Sequence, residues 1–164
     1  MRTFVSHSFL HFIAFFSLLI GPDVAITAAH CVDGTAGFPG ALRFNSQSRS
    51  IGGIYAKVTR GVIHPDWTTG NAASTDVAVM FLQSPVGLDA VELNQDAGRP
   101  STAGEPLLAS GFGLTTASSG VSNVLMSTTI PFLTDCSSRL NVYEGFRHVC
   151  ADSSYTATCA GGTL

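Results

Sequence analysis

Two side chains in this sequence have the types needed to pass a proton to and from a reacting group. His30 ends the apolar run "AITAAHC" (25–31), and Asp76 opens "DVAVMFL" (76–82). Imidazole changes charge near neutral pH, so it can serve as a base and then as an acid. A carboxylate leading into an almost wholly apolar strand is partly buried, and leaving it unpaired costs several kcal/mol in order of magnitude. It needs a donor, and a histidine N–H is one supplier. If the two segments meet, the carboxylate fixes the imidazole's tautomer and leaves its other nitrogen free to take a proton. Taken singly, each residue has a plainer reading: the aspartate as a turn residue, the histidine as a structural one. Metal chemistry has thin support. No C-x-x-C occurs, and a metal reading has only His148-Val149-Cys150 to support it. No cofactor motif is present.

The elements that must position these residues are short apolar segments between turn signals, with no long stretch of helical period. "DVAIT" (23–27) reads as a strand running into a tight turn at 28–31. "YAKVTRGVI" (55–63) alternates in part, with Tyr55, Lys57, Thr59 and Gly61 opposite Ala56, Val58, Arg60 and Val62. "DVAVMFL" is apolar on both faces, as an interior strand requires. "PLLASGFG" (106–113) and "VLMSTTI" (124–130) are further strands, and "TDCSSRL" (134–140) suggests a helical turn with Thr134 as its N-cap. Gly-, Ser- and Asn-rich loops fall at 33–40, 45–53, 68–75 and 115–123. Short strands at this spacing predict an all-β barrel or sandwich. No internal repeat or domain linker interrupts the chain.

Composition narrows the class. The 164 residues suffice for one core, and only 12% are charged, so disorder is not expected. A net charge of −3 gives no reason to expect nucleic acid or an anionic membrane as partner. Arg2 followed by "FLHFIAFFSLLI" (9–20) reads either as a secretory leader or as a core strand, the two competing for the same residues. Four cysteines, Cys31, Cys136, Cys150 and Cys159, suit an oxidising, extracellular setting, and three pairings are open.

In order along the chain, "ITAAHC" (26–31), "HPDW" (64–67), "DVAVMFL" (76–82), "GFG" (111–113) and "HVCAD" (148–152) resemble the chymotrypsin/trypsin family of serine peptidases. The resemblance runs from about Pro22 to Leu164 as a partial peptidase domain, with residues 1–21 a signal peptide or an altered N-terminal strand. It implies a chymotrypsin-like double β-barrel, secretion, and protein or peptide substrates. It implies that His30 is the general base and Asp76 the residue that orients it. It also implies a Cys136–Cys150 disulfide closing a loop of ~15 residues, for ~3 kcal/mol of stabilisation in the chain-entropy model.

The departures bear on activity. The family's C-x-G-D-S-G-G-x-L segment reads "CAGGTL" here (159–164), so the nucleophilic serine, expected between Ala160 and Gly162, is absent. Its backbone N–H would also have served the oxyanion hole. Thr163 lies past the glycines, and Ser153 and Ser154 read as loop residues. Ala157 stands where trypsin-like members carry the acid that selects Lys or Arg, which implies an apolar or small pocket. No Ile-Val-Gly-Gly-like start precedes His30, and Cys31 and Cys159 lose their family partners, leaving them unpaired. The double barrel is expected to be incomplete, the first barrel short of N-terminal strands and the second of C-terminal ones. Three accounts follow: a secreted endopeptidase homologue unable to hydrolyse peptides, a binding or inhibitor protein on the same scaffold (glucanase-inhibitor-like), or a partial copy of an active peptidase.

Overall fold

The computed structural model describes residues 4–6, 16–34, 37–69, 75–114, 120–135 and 149–151. The chain divides into two units, Met1–Leu93 and Asn94–Leu164.

The first unit is a closed antiparallel barrel. Its strands are β1 (Phe4–Ser6), β2 (Phe16–Gly21), β3 (Val24–Thr27), β4 (Ala41–Phe44), β5 (Ile54–Ile63) and β6 (Ala78–Leu82). Around the barrel they run β1-β2-β3-β6-β5-β4, and β4 closes back on β1 through Val5↔Phe44 and Ser6↔Arg43. Residues 16–21 thus form a core strand in the folded chain. Leu18 pairs with Ile26 and Leu19 with Ala25, and Leu19 is fully buried. The deficit expected on the N-terminal side of this barrel is made up by these residues and β1. Apolar side chains have no more favourable place than a barrel interior, and Leu19 takes one.

The interior strand expected at 76–82 is β6, flanked by β3 and β5. It starts two residues later than the sequence suggested, at Ala78, so Asp76 lies on the approach rather than in the ladder. Ala78, Met80 and Leu82 point into the core; Arg60 lies over the ring of Phe81, 4.1 Å from its centroid, covering the other face. β5 carries a bulge. Val58 pairs with Leu82 and Arg60 with Phe81, so Thr59 is the extra residue. Before it, Ala56 and Val58 are the more buried residues; after it, Gly61 and Ile63 are. The alternation read from the sequence therefore holds to Val58 and reverses beyond Thr59.

β4 was not foreseen. Leu42, Arg43 and Phe44 are all buried, so the segment shows no period of two. The guanidinium of Arg43 is 1% exposed, with Nη2 donating to the Ser48 and Arg49 carbonyls.

Two clusters fill this unit. Leu19, Ala25, Leu42, Phe44, Met80 and Leu82 form the main core, with Phe38, Val58 and Leu88 among the residues packed on it. Ala29, Val32 and Ala78 form a second, smaller one, joined by Cys31, Phe38, Ile63 and Trp67.

The second unit contains a three-stranded sheet in the order β7 (Pro106–Gly111), β8 (Met126–Leu133), β9 (Cys150–Ala151). β7 and β8 pair in unbroken register from Pro106↔Pro131 to Gly111↔Met126. Its buried residues are Ala109, Phe112, Ile130, Phe132 and Cys150. β8 starts two residues after the expected Val124 and runs three beyond Ile130. The fold is all-β, as expected, and the second unit holds an open sheet among the described residues. Of the expected helical turn at 134–140, Thr134 and Asp135 are described and are not helical; the rest lies outside the described residues.

Candidate functional site

β3 delivers the histidine. Val24 and Ile26 are β-branched and favour the extended chain, and Ala28 continues it at φ −75°, ψ 140°. The chain then turns through a single 3-10 turn, Ala29–Cys31, closed by Val32 N–H and Asp33 N–H donating to the Ala29 carbonyl. Ala29 is buried beneath this turn, which throws the His30 side chain outward at 57% exposure.

Asp76 meets it. Its Oδ2 lies 2.6 Å from His30 Nδ1, and its Oδ1 accepts the main-chain N–H of His30 at 2.8 Å. One carboxylate therefore holds the same residue twice. A carboxylate is an acceptor, so the short contact places the proton on Nδ1 and leaves Nε2 with a free lone pair. The Asp76 side chain is 38% exposed, so its charge is partly hydrated and the desolvation cost expected from an apolar strand is reduced.

Nε2 faces a neighbour the sequence did not single out as a contact. Cys31 Sγ lies 3.4 Å away, within reach of a weak S–H donor. Cys31 is a free thiol. Burial and the nearby Asp76 charge push its pKa from 9.0 up to about 11, against a smaller lowering by a Thr27 hydrogen bond. It is therefore a protonated thiol at neutral pH.

A second carboxylate was also missed. Asp33 Oδ2 accepts the indole N–H of Trp67 and the hydroxyl of Thr69, each at 2.5 Å. These two hydrogen bonds hold the Asp33 carboxyl below the usual aspartate value. The only signal for it in the sequence was the tryptophan of "HPDW", whose polar N–H needs an acceptor when the ring packs inward.

Among the described residues no three histidine, cysteine or acidic side chains gather as a metal site. Cys150 is disulfide-bonded, so its sulfur cannot supply the thiolate on which a His148-Val149-Cys150 metal reading depends. Cys136, His148, Ala157, Cys159 and the segment from Ala160 to Gly162 lie outside the described residues, as do Ser153, Ser154 and Thr163.

The class of protein so far defined is an antiparallel barrel that presents an exposed imidazole clamped by an aspartate. The match along the sequence defines it further: the chain belongs to the trypsin family, whose model, Trypsin, matches residues 7–163. It is 30% identical over 151 residues to trypsin zeta of Drosophila erecta, covering 87% of this chain and 52% of that protein. It is 31% identical over 152 residues to brachyurin of Leptuca pugilator, covering 87% and 65%. To chymotrypsin-like elastase family member 1 of Bos taurus it is 29% identical over 149 residues, covering 88% and 54%. The chain spans about half to two thirds of the length of these relatives. No helix among the described residues is long and apolar enough to cross a membrane.

Proposed function

We propose that this chain carries the proton-transfer half of a serine-type endopeptidase centre, built for protein substrates outside the cell, and that in this form it does not hydrolyse peptides. The observation that supports the first part is the double grip of Asp76 on His30. His30 is the general base: the Nδ1–H tautomer leaves the Nε2 lone pair as the acceptor, with the Cys31 thiol 3.4 Å away, and the adjacent carboxylate stabilises the imidazolium that forms when Nε2 takes a proton. In the acyl-transfer reaction that proton comes from a serine hydroxyl, whose oxygen attacks the scissile carbonyl and later leaves as water enters.

The second part rests on "CAGGTL" (159–164), which offers no hydroxyl between Ala160 and Gly162. The Cys31 thiol beside Nε2 is half-buried in the histidine turn, and burial and the Asp76 charge disfavour its thiolate. Cys136–Cys150 is the proposed disulfide, and Ala157 the residue that leaves the substrate pocket without an acid.

The test uses the full chain, purified and shown to unfold cooperatively, exposed to a fluorophosphonate probe and to an activated ester. The expected result is no covalent label and no burst of product. Labelling lost on substituting His30 with alanine would overturn the proposal. A folded, unlabelled chain that holds a defined secreted hydrolase tightly would move the function to that of an inhibitor on a peptidase scaffold.

A further inference from the structure

We infer that Asp33 is a positioning residue for His30: it ties the turn that carries the imidazole to the β5–β6 connection that carries Asp76, through Trp67 and Thr69. The inference rests on His30 and Asp76 acting as the base pair described above.

The connection from His64 to Val77 begins and ends close together, because His64 N–H donates to the Val77 carbonyl at 2.9 Å. Asp76 stands at the closing end of this loop and Trp67 near its opening end. Both ends reach the same short turn, Asp76 through His30 and Trp67 through Asp33. Thr69 adds a second donor to the same Asp33 oxygen. The main-chain N–H of Trp67 donates to the His64 carbonyl at 3.0 Å, so the indole sits on a formed turn rather than a loose strand end. The ring itself packs on Ala29, Val32 and Ala78, the three buried residues that lie under the histidine turn and at the start of β6.

Without Asp33 the loop loses its polar anchor. An indole N–H left without an acceptor in a half-buried position is drawn towards water, and the ring leaves with it. The loop then samples more conformations, and holding Asp76 at 2.6 Å from Nδ1 must offset a larger loss of entropy. A base pair is only as well aligned as the segments that carry its two halves.

The test reads the imidazole directly, in the full chain labelled with nitrogen-15 at histidine. In the unaltered protein the neutral His30 ring is the Nδ1–H tautomer, with that proton protected from solvent exchange. Asp76→Ala defines the signal of an ungripped ring. Asp33→Ala is expected to speed exchange of the Nδ1 proton about tenfold and to move the ring towards the Asp76→Ala pattern, charge-assisted hydrogen bonds being the stronger kind. Asp33→Asn keeps one acceptor for the indole and is expected to restore most of the protection. Trp67→Phe removes the donor without altering any charge and should give an intermediate result.

A folded Asp33→Ala protein with unchanged ring signals would overturn the inference. So would Asp33→Asn behaving like Asp33→Ala, since charge rather than the tie would then be responsible. If Asp33→Ala does not fold, Thr69→Val decides: about twofold faster exchange supports the tie, and no change refutes it. No step depends on peptidase activity, so labelling by a fluorophosphonate would alter the proposed function and leave this result standing. If Asp76→Ala itself leaves the ring unaltered, the base pair is not there to be positioned and both readings fall.

Discussion

Leu19 separates a barrel strand from a leader. Its side chain is fully buried among Ala25, Leu42, Phe44, Met80 and Leu82. Leu19→Ala removes the equivalent of about three methylenes, worth about 2.5 kcal/mol in transfer free energy at about 0.8 kcal/mol each. The barrel is closed by β2 on this side and has little freedom to collapse, so most of the vacated space persists. A residual cavity of about 60 Å³ adds about 1.5 kcal/mol. The expected loss is therefore about 4 kcal/mol, a large share of the 5–15 kcal/mol typical of a domain. Ile20→Ala, on the neighbouring half-buried position, should cost about 1 kcal/mol. Urea unfolding followed by fluorescence suits the measurement, since Trp67 is the single tryptophan and lies in the same unit, half-buried against the second cluster. Equal urea midpoints for Leu19→Ala and the parent chain would refute the assignment of residues 16–21 to the barrel. A secreted product starting after Gly21 with the same midpoint would do so as well.

Three further outcomes are expected. The raised pKa of Cys31 means the folded chain binds this proton more tightly than the unfolded one. The stability it confers is complete below the ordinary value of 9.0 and is lost as pH rises towards about 11. At pH 8 its alkylation by iodoacetamide should run about a hundredfold slower than that of an ordinary thiol, as mass spectrometry of timed samples would show; a normal rate contradicts the burial. Asp33 has the opposite sign. Its lowered pKa gives stability that is present above 3.8 and lost as pH falls through the folded value, so Asp33→Asn should flatten the acid limb of a thermal-unfolding series. Gly61→Ala places a Cβ against the ring of Phe38 and should cost about 1–3 kcal/mol, most of it recovered in the Phe38→Ala background.

How much of this was legible in the sequence depended on whether a local rule could see it. β3 and β6 were found because β-branched and unbroken apolar runs report their own burial. Their pairing brings His30 and Asp76 together, and the need of a carboxylate for a donor anticipated the contact. The main-chain half of the grip was not legible, since no side-chain pattern encodes which N–H a carboxylate will choose. β4 escaped because its three consecutive buried residues include an arginine, which reads as surface until its carbonyl partners are seen. The reversal in β5 escaped because one extra residue, Thr59, changes the phase without changing the composition. Asp33 reads as an ordinary turn residue, and only its distant partners Trp67 and Thr69 give it another part. For residues 9–20 apolarity fitted both a leader and a strand, and of these residues 16–20 are described, paired with β3.

The double hold on His30 has a kinetic side. Were the ring to swing about its first side-chain torsion, the bond at Nδ1 would break, yet the amide proton would still detain Asp76 at the spot the ring had left. Each excursion then becomes a brief local rotation with its point of return kept fixed. The ring can turn away and regain its bond at Nδ1 without any movement of the carboxylate.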